Sequence, residues 1–169
     1  MSSIVLVGFM GTGKSVVGRL LAQRLKRPFL DLDRQIEKEC GKPIPRIFAE
    51  DGEAAFRRME AEAVRKIAAL RQHVIATGGG IMTDEENVRA LKSAGAVVCL
   101  TASPDVILKR TAPTAASRPM LAGGDPRQRI EELLQLRAPF YAKADFTVDT
   151  TDRSVEEIVQ EIMERTGNG

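Results

Sequence analysis

The stretch Ile4-Val5-Leu6-Val7-Gly8-Phe9-Met10-Gly11-Thr12-Gly13-Lys14-Ser15 decides how this chain is read. Four consecutive apolar residues form the pattern of a strand buried on both faces. Gly8 to Ser15 then fits G-x-x-x-x-G-K-S, and Val16, Val17, Leu20, Leu21 and Leu25 follow at helical spacing. Strand, glycine loop and helix in that order build a nest. Glycines let backbone N–H groups turn inward onto phosphate oxygens, and the helix adds the positive end of its dipole. Lys14 brings a full charge to the outer phosphates, and Ser15 offers a hydroxyl to Mg²⁺. A bare strand–helix turn would leave Lys14 and Ser15 with no task. The loop therefore predicts a nucleoside triphosphate held by Gly11, Thr12, Gly13, Lys14, Ser15 and Val16.

Outward from the loop, short apolar runs alternate with longer amphipathic ones. Strands are expected at 28–33 (ending in Asp31 and Asp33), 73–77, 96–101 and 146–148. Helices are expected over 14–26, 34–40, 44–49 and 51–70, then from the Thr83/Glu86 capping box to about 93 and from Ser103-Pro104 to about 111. Two more start at Asp125-Pro126, where Pro139 should kink or reset the helix, and at the Ser154/Glu157 capping box. Strands alternating with helices give an α/β fold: a three-layer α/β/α arrangement on a five-stranded parallel sheet. Its ligands belong outside the carboxyl ends of the strands. At 169 residues the chain is one domain of ordinary size, 1–169.

Composition excludes other classes. With 25 basic and 23 acidic residues the net charge is +2, and one Tyr and six Phe offer few stacking platforms, so no nucleic-acid partner is expected. The basic residues divide into 17 Arg and 8 Lys, an excess of the side chain that grips carboxylates and phosphates with a planar fork. Cys40 and Cys99 are too few and too far apart for a disulfide scaffold or a zinc site. No run of 18 apolar residues and no basic segment leading a long apolar one occurs, so no membrane partner and a cytoplasmic location are expected.

The acceptor side is less local. A GTPase or motor ATPase should carry a Mg-associated Asp at the end of an apolar strand, but the third strand here ends in Thr77 and glycines. The carboxylates stand on the second strand, an arrangement that in so short a chain suggests a kinase of small molecules or nucleoside monophosphates. Asp31 and Asp33, two apart on a strand, point to one side. One can steer Mg²⁺ while the other accepts a proton or hydrogen bond from a hydroxyl; a helix cap plus a surface Asp is the competing account. Arg58 has an i,i+4 partner in Glu62, whereas Arg57 and Glu60 lie near the core stripe, where Arg57 is equally suited to structure or to gripping a carboxylate. Gly78-Gly79-Gly80 lets a ligand meet bare backbone.

Taken together, these motifs resemble shikimate kinases. The resemblance runs from Ile4 to the last helix. It includes Gly8–Ser15, Asp31-Leu32-Asp33, Pro43–Phe48, Phe56-Arg57-Arg58-x-Glu60, Gly78–Gly80, Arg118-Pro119-Met120-Leu121 and Arg137-x-Pro139-x-Tyr141. It implies a P-loop kinase fold and ATP- and Mg²⁺-dependent phosphorylation of the 3-hydroxyl of shikimate, on the route to aromatic amino acids, by a monomer. By position it implies that Asp33 holds the hydroxyls as candidate base, Arg57 and Arg137 grip the carboxylate, and Gly78, Gly79 and Gly80 contact shikimate by backbone. Arg118 would meet the transferring phosphoryl group. Arg110 would lie against adenine, with Arg153 in the loop after Asp149 helping to enclose it. Lys14 would be catalytic, and Ser15 and Asp31 would stand on the metal side. Residues 33–60 would be a mobile shikimate-binding segment and 112–124 a mobile lid. Val16 stands where many such loops have Ser or Thr, and Met120 where Leu is usual in the lid motif.

Three rivals carry different expectations. A gluconate or nucleotide kinase of the same architecture would differ in acceptor. A non-catalytic nucleotide-binding relative would lack Lys14, Asp33 or Arg118, and all three are present. A nucleic-acid-binding NTPase conflicts with the charge balance and the few aromatics.

Overall fold

The first strand, β1 (Ser3–Gly8), is buried along its whole length and forms the middle of the sheet. A computed structural model describes residues 1–169, apart from the side chains of Ala116 and Ser117. Four more strands, β2 (Phe29–Asp31), β3 (Val74–Ala76), β4 (Gly95–Thr101) and β5 (Phe146–Asp149), join β1 in the order β2-β3-β1-β4-β5. Every pairing is parallel, so the expected five-stranded α/β/α sheet is present. The chain builds one half of the sheet, then crosses β1 and builds the other. That reversal opens a crevice at the carboxyl ends of β1 and β3, where a doubly wound sheet takes its ligands.

The period-2 alternation of β1 divides the core into two layers. Ile4 and Leu6 pack with Val17 and Leu21 of α1 (Lys14–Leu25) and with Ile158 and Ile162 of α8 (Val155–Arg165). Val5 and Val7 face the other layer, where Ile36 of α2 (Leu32–Cys40), Val64 of α4 (Glu53–Ile67) and Leu91 of α5 (Glu85–Ala94) are buried. That layer also holds Ile107 of α6 (Pro104–Thr111) and Ile130 of α7 (Pro126–Tyr141), while α3 (Ile44–Glu50) buries Ile47 in it. Cys99 of β4 lies in this core, its thiol pushed up to about 11 by burial.

Four local expectations need correction. First, β2 stops at Asp31, whose side chain accepts from the Arg34 N–H and so starts α2 at Leu32. Asp33 therefore stands in the first turn of a helix, and the two carboxylates share no strand. Second, α5 is capped by Asp84, which accepts from the Glu86 N–H; Thr83 instead closes a 3-10 turn by donating to Gly80 O. Third, α7 continues through Pro139 to Tyr141. Pro139 lies in the last turn, where one missing N–H removes a single bond to a helix already ending. Fourth, among the described residues no Arg58–Glu62 ion pair forms; both side chains are left to solvent contact on α4. The Ser154–Glu157 capping box is present on α8. Residues 112–124 contain two 3-10 turns, Ala112–Ser117 and Pro119–Leu121, with Leu121 buried. Among the described residues no helix is long and apolar enough to cross a membrane.

Candidate active site

Backbone geometry makes the loop after β1. At Gly8 a Cβ would stand 2.2 Å from Leu100 O on β4, and φ is +131°, so only glycine fits. Gly13 caps α1 in the left-handed region, leaving the first N–H groups of the helix aimed into the loop. Thr12 is buried beneath, its hydroxyl donating to Phe9 O at 2.7 Å. Lys14 Nζ bridges the loop, donating to Gly8 O at 2.8 Å and Phe9 O at 2.7 Å. Burial lowers its pKa to about 8, against the opposing pull of Asp33. Among the described residues this half-buried cation forms no ion pair, and phosphate would supply a counter-ion.

Beside Lys14, the Ser15 hydroxyl donates to Asp31 Oδ2 at 2.9 Å. Two hard oxygen donors at the mouth of a phosphate loop fit Mg²⁺, which keeps waters and phosphate oxygens as its remaining ligands. Among the described residues no group of three or more His, Cys, Asp or Glu is placed to hold a metal alone.

Loop and glycines border one cleft of about 640 Å³, lined also by Asp31, Asp33, Arg57, Glu60, Gly78, Arg118 and Arg137. Each glycine lies against at least one charged side chain. A Cβ at Gly78 would reach Asp33 Oδ1 at 2.9 Å and Glu60 Oε2 at 3.0 Å; at Gly79, Arg137 Nη1 at 3.1 Å; at Gly80, Arg57 Nη1 and Nη2 at 2.7 Å. Three glycines let four charged groups approach the end of β3, which a simple turn would not need. Among the described residues, Asp33 Oδ1, Glu60 Oε2 and Arg137 Nη1 are buried with no hydrogen-bond partner. Buried polar atoms are nearly always satisfied, so three orphans around one cleft mark where a polar ligand belongs.

The arginines of the cleft do not fix the charge on Asp33. A carboxylate beside arginines should stay ionised. Instead Arg57 donates to Glu60 Oε1 at 2.9 Å and Glu53 Oε1 at 3.4 Å, so its charge is already matched. Asp33 is raised to about 7 by burial, then by Glu60 and Asp31; Lys14 offsets only part. Burial raises Glu60 too, against the attraction of Arg57. Arg137 lies with its guanidinium 5.5 Å from the Phe9 ring centroid, a cation–π contact within the core side of the cleft.

Arg118 reaches the cleft with Nε donating to Thr114 Oγ1 at 2.9 Å. Met120 and the half-exposed Val16 also border it. Two expected nucleotide residues lie apart. Arg110 Nη1 donates to Gly11 O at 3.2 Å and to Thr150 Oγ1 at 3.1 Å, buttressing the loop from outside the cleft. Arg153 turns to α8, donating to Asp149 O at 3.0 Å and Glu161 Oε2 at 2.7 Å. Glu60 had no assigned task in the sequence. Its signal was an acid three residues after Arg57 on the core face of one helix, a place where a free carboxylate is costly.

Comparison with known proteins agrees with this fold. The shikimate kinase family model matches residues 10–166. A shikimate kinase of Thermodesulfovibrio yellowstonii is 46% identical, over 100% of this chain and 99% of its own. One from Desulforudis audaxviator is 51% identical, over 97% of this chain and 86% of its own. Among solved structures, a shikimate kinase from Acinetobacter baumannii in complex with shikimate superposes with a TM-score of 0.93 at 38% identity, covering 98% of this chain and 92% of that one. A gluconokinase from Sinorhizobium meliloti is similar in fold alone, with a TM-score of 0.58 at 19% identity.

Proposed function

The chain belongs to the shikimate kinase family, and from that premise we propose that its cleft transfers the γ-phosphoryl group of ATP to the 3-hydroxyl of shikimate. The chain is a phosphotransferase with ATP as co-substrate and an alcohol as acceptor. The observation that carries the site assignment is the set of three orphaned buried atoms, Asp33 Oδ1, Glu60 Oε2 and Arg137 Nη1, opposite a phosphate loop. Two acceptors and one cationic donor match a ring that bears several hydroxyls and one carboxylate.

In this reading Gly11, Thr12, Gly13, Lys14, Ser15 and Val16 cradle the triphosphate, with Arg110 and Arg153 on the adenine side. Ser15 and Asp31 hold Mg²⁺, which neutralises phosphate charge when bound. Arg57 and Arg137 take the shikimate carboxylate, and Gly78, Gly79 and Gly80 offer backbone to the ring. The 3-hydroxyl oxygen attacks the γ-phosphorus as the bond to the bridging oxygen breaks, and ADP leaves in line with no phospho-enzyme. The hydroxyl proton passes to Asp33, whose carboxyl near 7 is matched to that task at neutral pH. Lys14 and Arg118 hold the transferring group, so positioning and charge neutralisation supply most of the acceleration. Residues 33–60 form the acceptor-binding segment, and 112–124 close as a lid that excludes water from the phosphoryl group. The enzyme works as a cytoplasmic monomer.

The test is acceptor choice. ADP release is followed with shikimate, gluconate and AMP in turn. Turnover with shikimate alone is expected; faster turnover with gluconate or AMP refutes the proposal.

A further inference from the structure

Tyr141 ends α7 four residues after Arg137, so both project from the same face of the helix. It is buried, and it does not border the cleft. Its hydroxyl donates to Gly79 O at 2.5 Å, a bond between the end of α7 and the glycine run after β3. Burial pushes the phenol up to about 12, with the neighbouring Arg137 charge offsetting only part, so the hydroxyl keeps its proton across the working range.

Three successive glycines have little intrinsic preference for one peptide orientation. Something outside the run must fix the Gly79–Gly80 peptide. The Gly79–Gly80 peptide is trans, so its C=O and N–H point in opposite directions. With Gly79 C=O drawn towards Tyr141, Gly80 N–H is turned the other way. Among the described residues that N–H donates to no protein group. Gly79 and Gly80 border the cleft, and Gly79 also packs against the orphaned Nη1 of Arg137.

We propose that Tyr141 is a positioning residue for the acceptor: by holding Gly79 O it aims the Gly80 N–H into the cleft and sets the spacing between that donor and Arg137 Nη1. Together the two form a binding corner for an anionic group of the acceptor, a carboxylate in the reading above, on which this proposal rests. Tyr141 does not touch substrate and acts through Gly79 and Arg137.

Tyr141→Phe keeps the ring and removes the donor. The KM for shikimate is expected to rise roughly fivefold, the effect of one neutral hydrogen bond, with kcat and the KM for ATP within twofold. Tyr141 is the only tyrosine in the chain, so 3-fluorotyrosine supplied during expression reports on this site alone, in the otherwise unchanged enzyme. Its ¹⁹F resonance is expected to move on addition of shikimate and to stay put with ATP. An unchanged shikimate KM, an equal rise in both KM values, or a resonance indifferent to shikimate overturns the proposal. Arg137→Ala separates the two levels. If it raises the shikimate KM while Tyr141→Phe does not, Tyr141 has no positioning task and the carboxylate reading stands. If Arg137→Ala leaves the shikimate KM unchanged, the carboxylate reading falls and the role of Tyr141 falls with it.

Discussion

Gly80→Ala should damage acceptor binding while sparing the fold. Gly80 has φ −100° and ψ 6°, a conformation that alanine adopts, so the backbone needs no adjustment. The added methyl would stand 2.7 Å from both terminal nitrogens of Arg57 and 2.8 Å from Cζ. Ordinary contact begins at 3.4 Å, so the guanidinium must retreat by about 0.7 Å. It sits at the end of a flexible side chain, held to Glu60 Oε1 at 2.9 Å and more loosely to Glu53, and it yields before any backbone does. Stability should hold or rise by up to about 1 kcal/mol, because alanine narrows the unfolded ensemble. Binding loses much of one charge-assisted hydrogen bond, about 1.5–3 kcal/mol, which is roughly a tenfold to 150-fold rise in the KM for shikimate. Steady-state kinetics with each substrate varied in turn, beside a thermal melt, read all three quantities. Arg57→Ala should give a similar loss, and the double variant should add little, because both act on one contact. A folded Gly80→Ala enzyme with the parental shikimate KM would refute the argument. So would a matching rise in the KM for ATP.

Asp33→Asn should cut turnover by 100-fold or more and yet stabilise the protein above neutral pH. The unfolded carboxyl titrates near 3.8 and the folded one near 7, so its contribution to stability is greatest in acid and is lost as pH rises between those values. The melting-point gain of the variant should therefore be larger at pH 8 than at pH 5, by an amount equivalent to at most about 3 kcal/mol; an equal gain at both values would mean that ionisation is not the cause. For Lys14, lowered to about 8, kcat/KM for ATP should decline above that pH as the free enzyme loses the charge, and Lys14→Arg should move the decline upward. Arg118→Ala should lower kcat by roughly 100-fold to 1,000-fold with the shikimate KM nearly unchanged. The reverse pattern would place Arg118 in acceptor binding.

The alternation of elements and the phosphate loop are legible in the residues alone, because both are local. A run of four apolar residues, a fixed glycine spacing and a Lys-Ser pair each work within a dozen residues of chain. Asp33 shows where local reasoning failed. Strand periodicity put it beside Asp31, but the Asp31 side chain caps α2 and ends β2 two residues early, so Asp33 enters the cleft from a helical turn. The acceptor wall was legible only in pieces. Asp33, Glu60, Gly78 and Arg137 come from α2, α4, the end of β3 and α7, and no spacing rule relates residues so far apart. Only the parallel crossovers bring them together. The tertiary structure alone decided which of the 17 arginines face the cleft, since Arg58 stays in solvent while Arg57, one residue away, turns inward to Glu60. It also decided the charge on Asp33. A pKa depends on burial and on neighbours in space, and here those neighbours are Glu60 and Asp31, with Arg57 already paired.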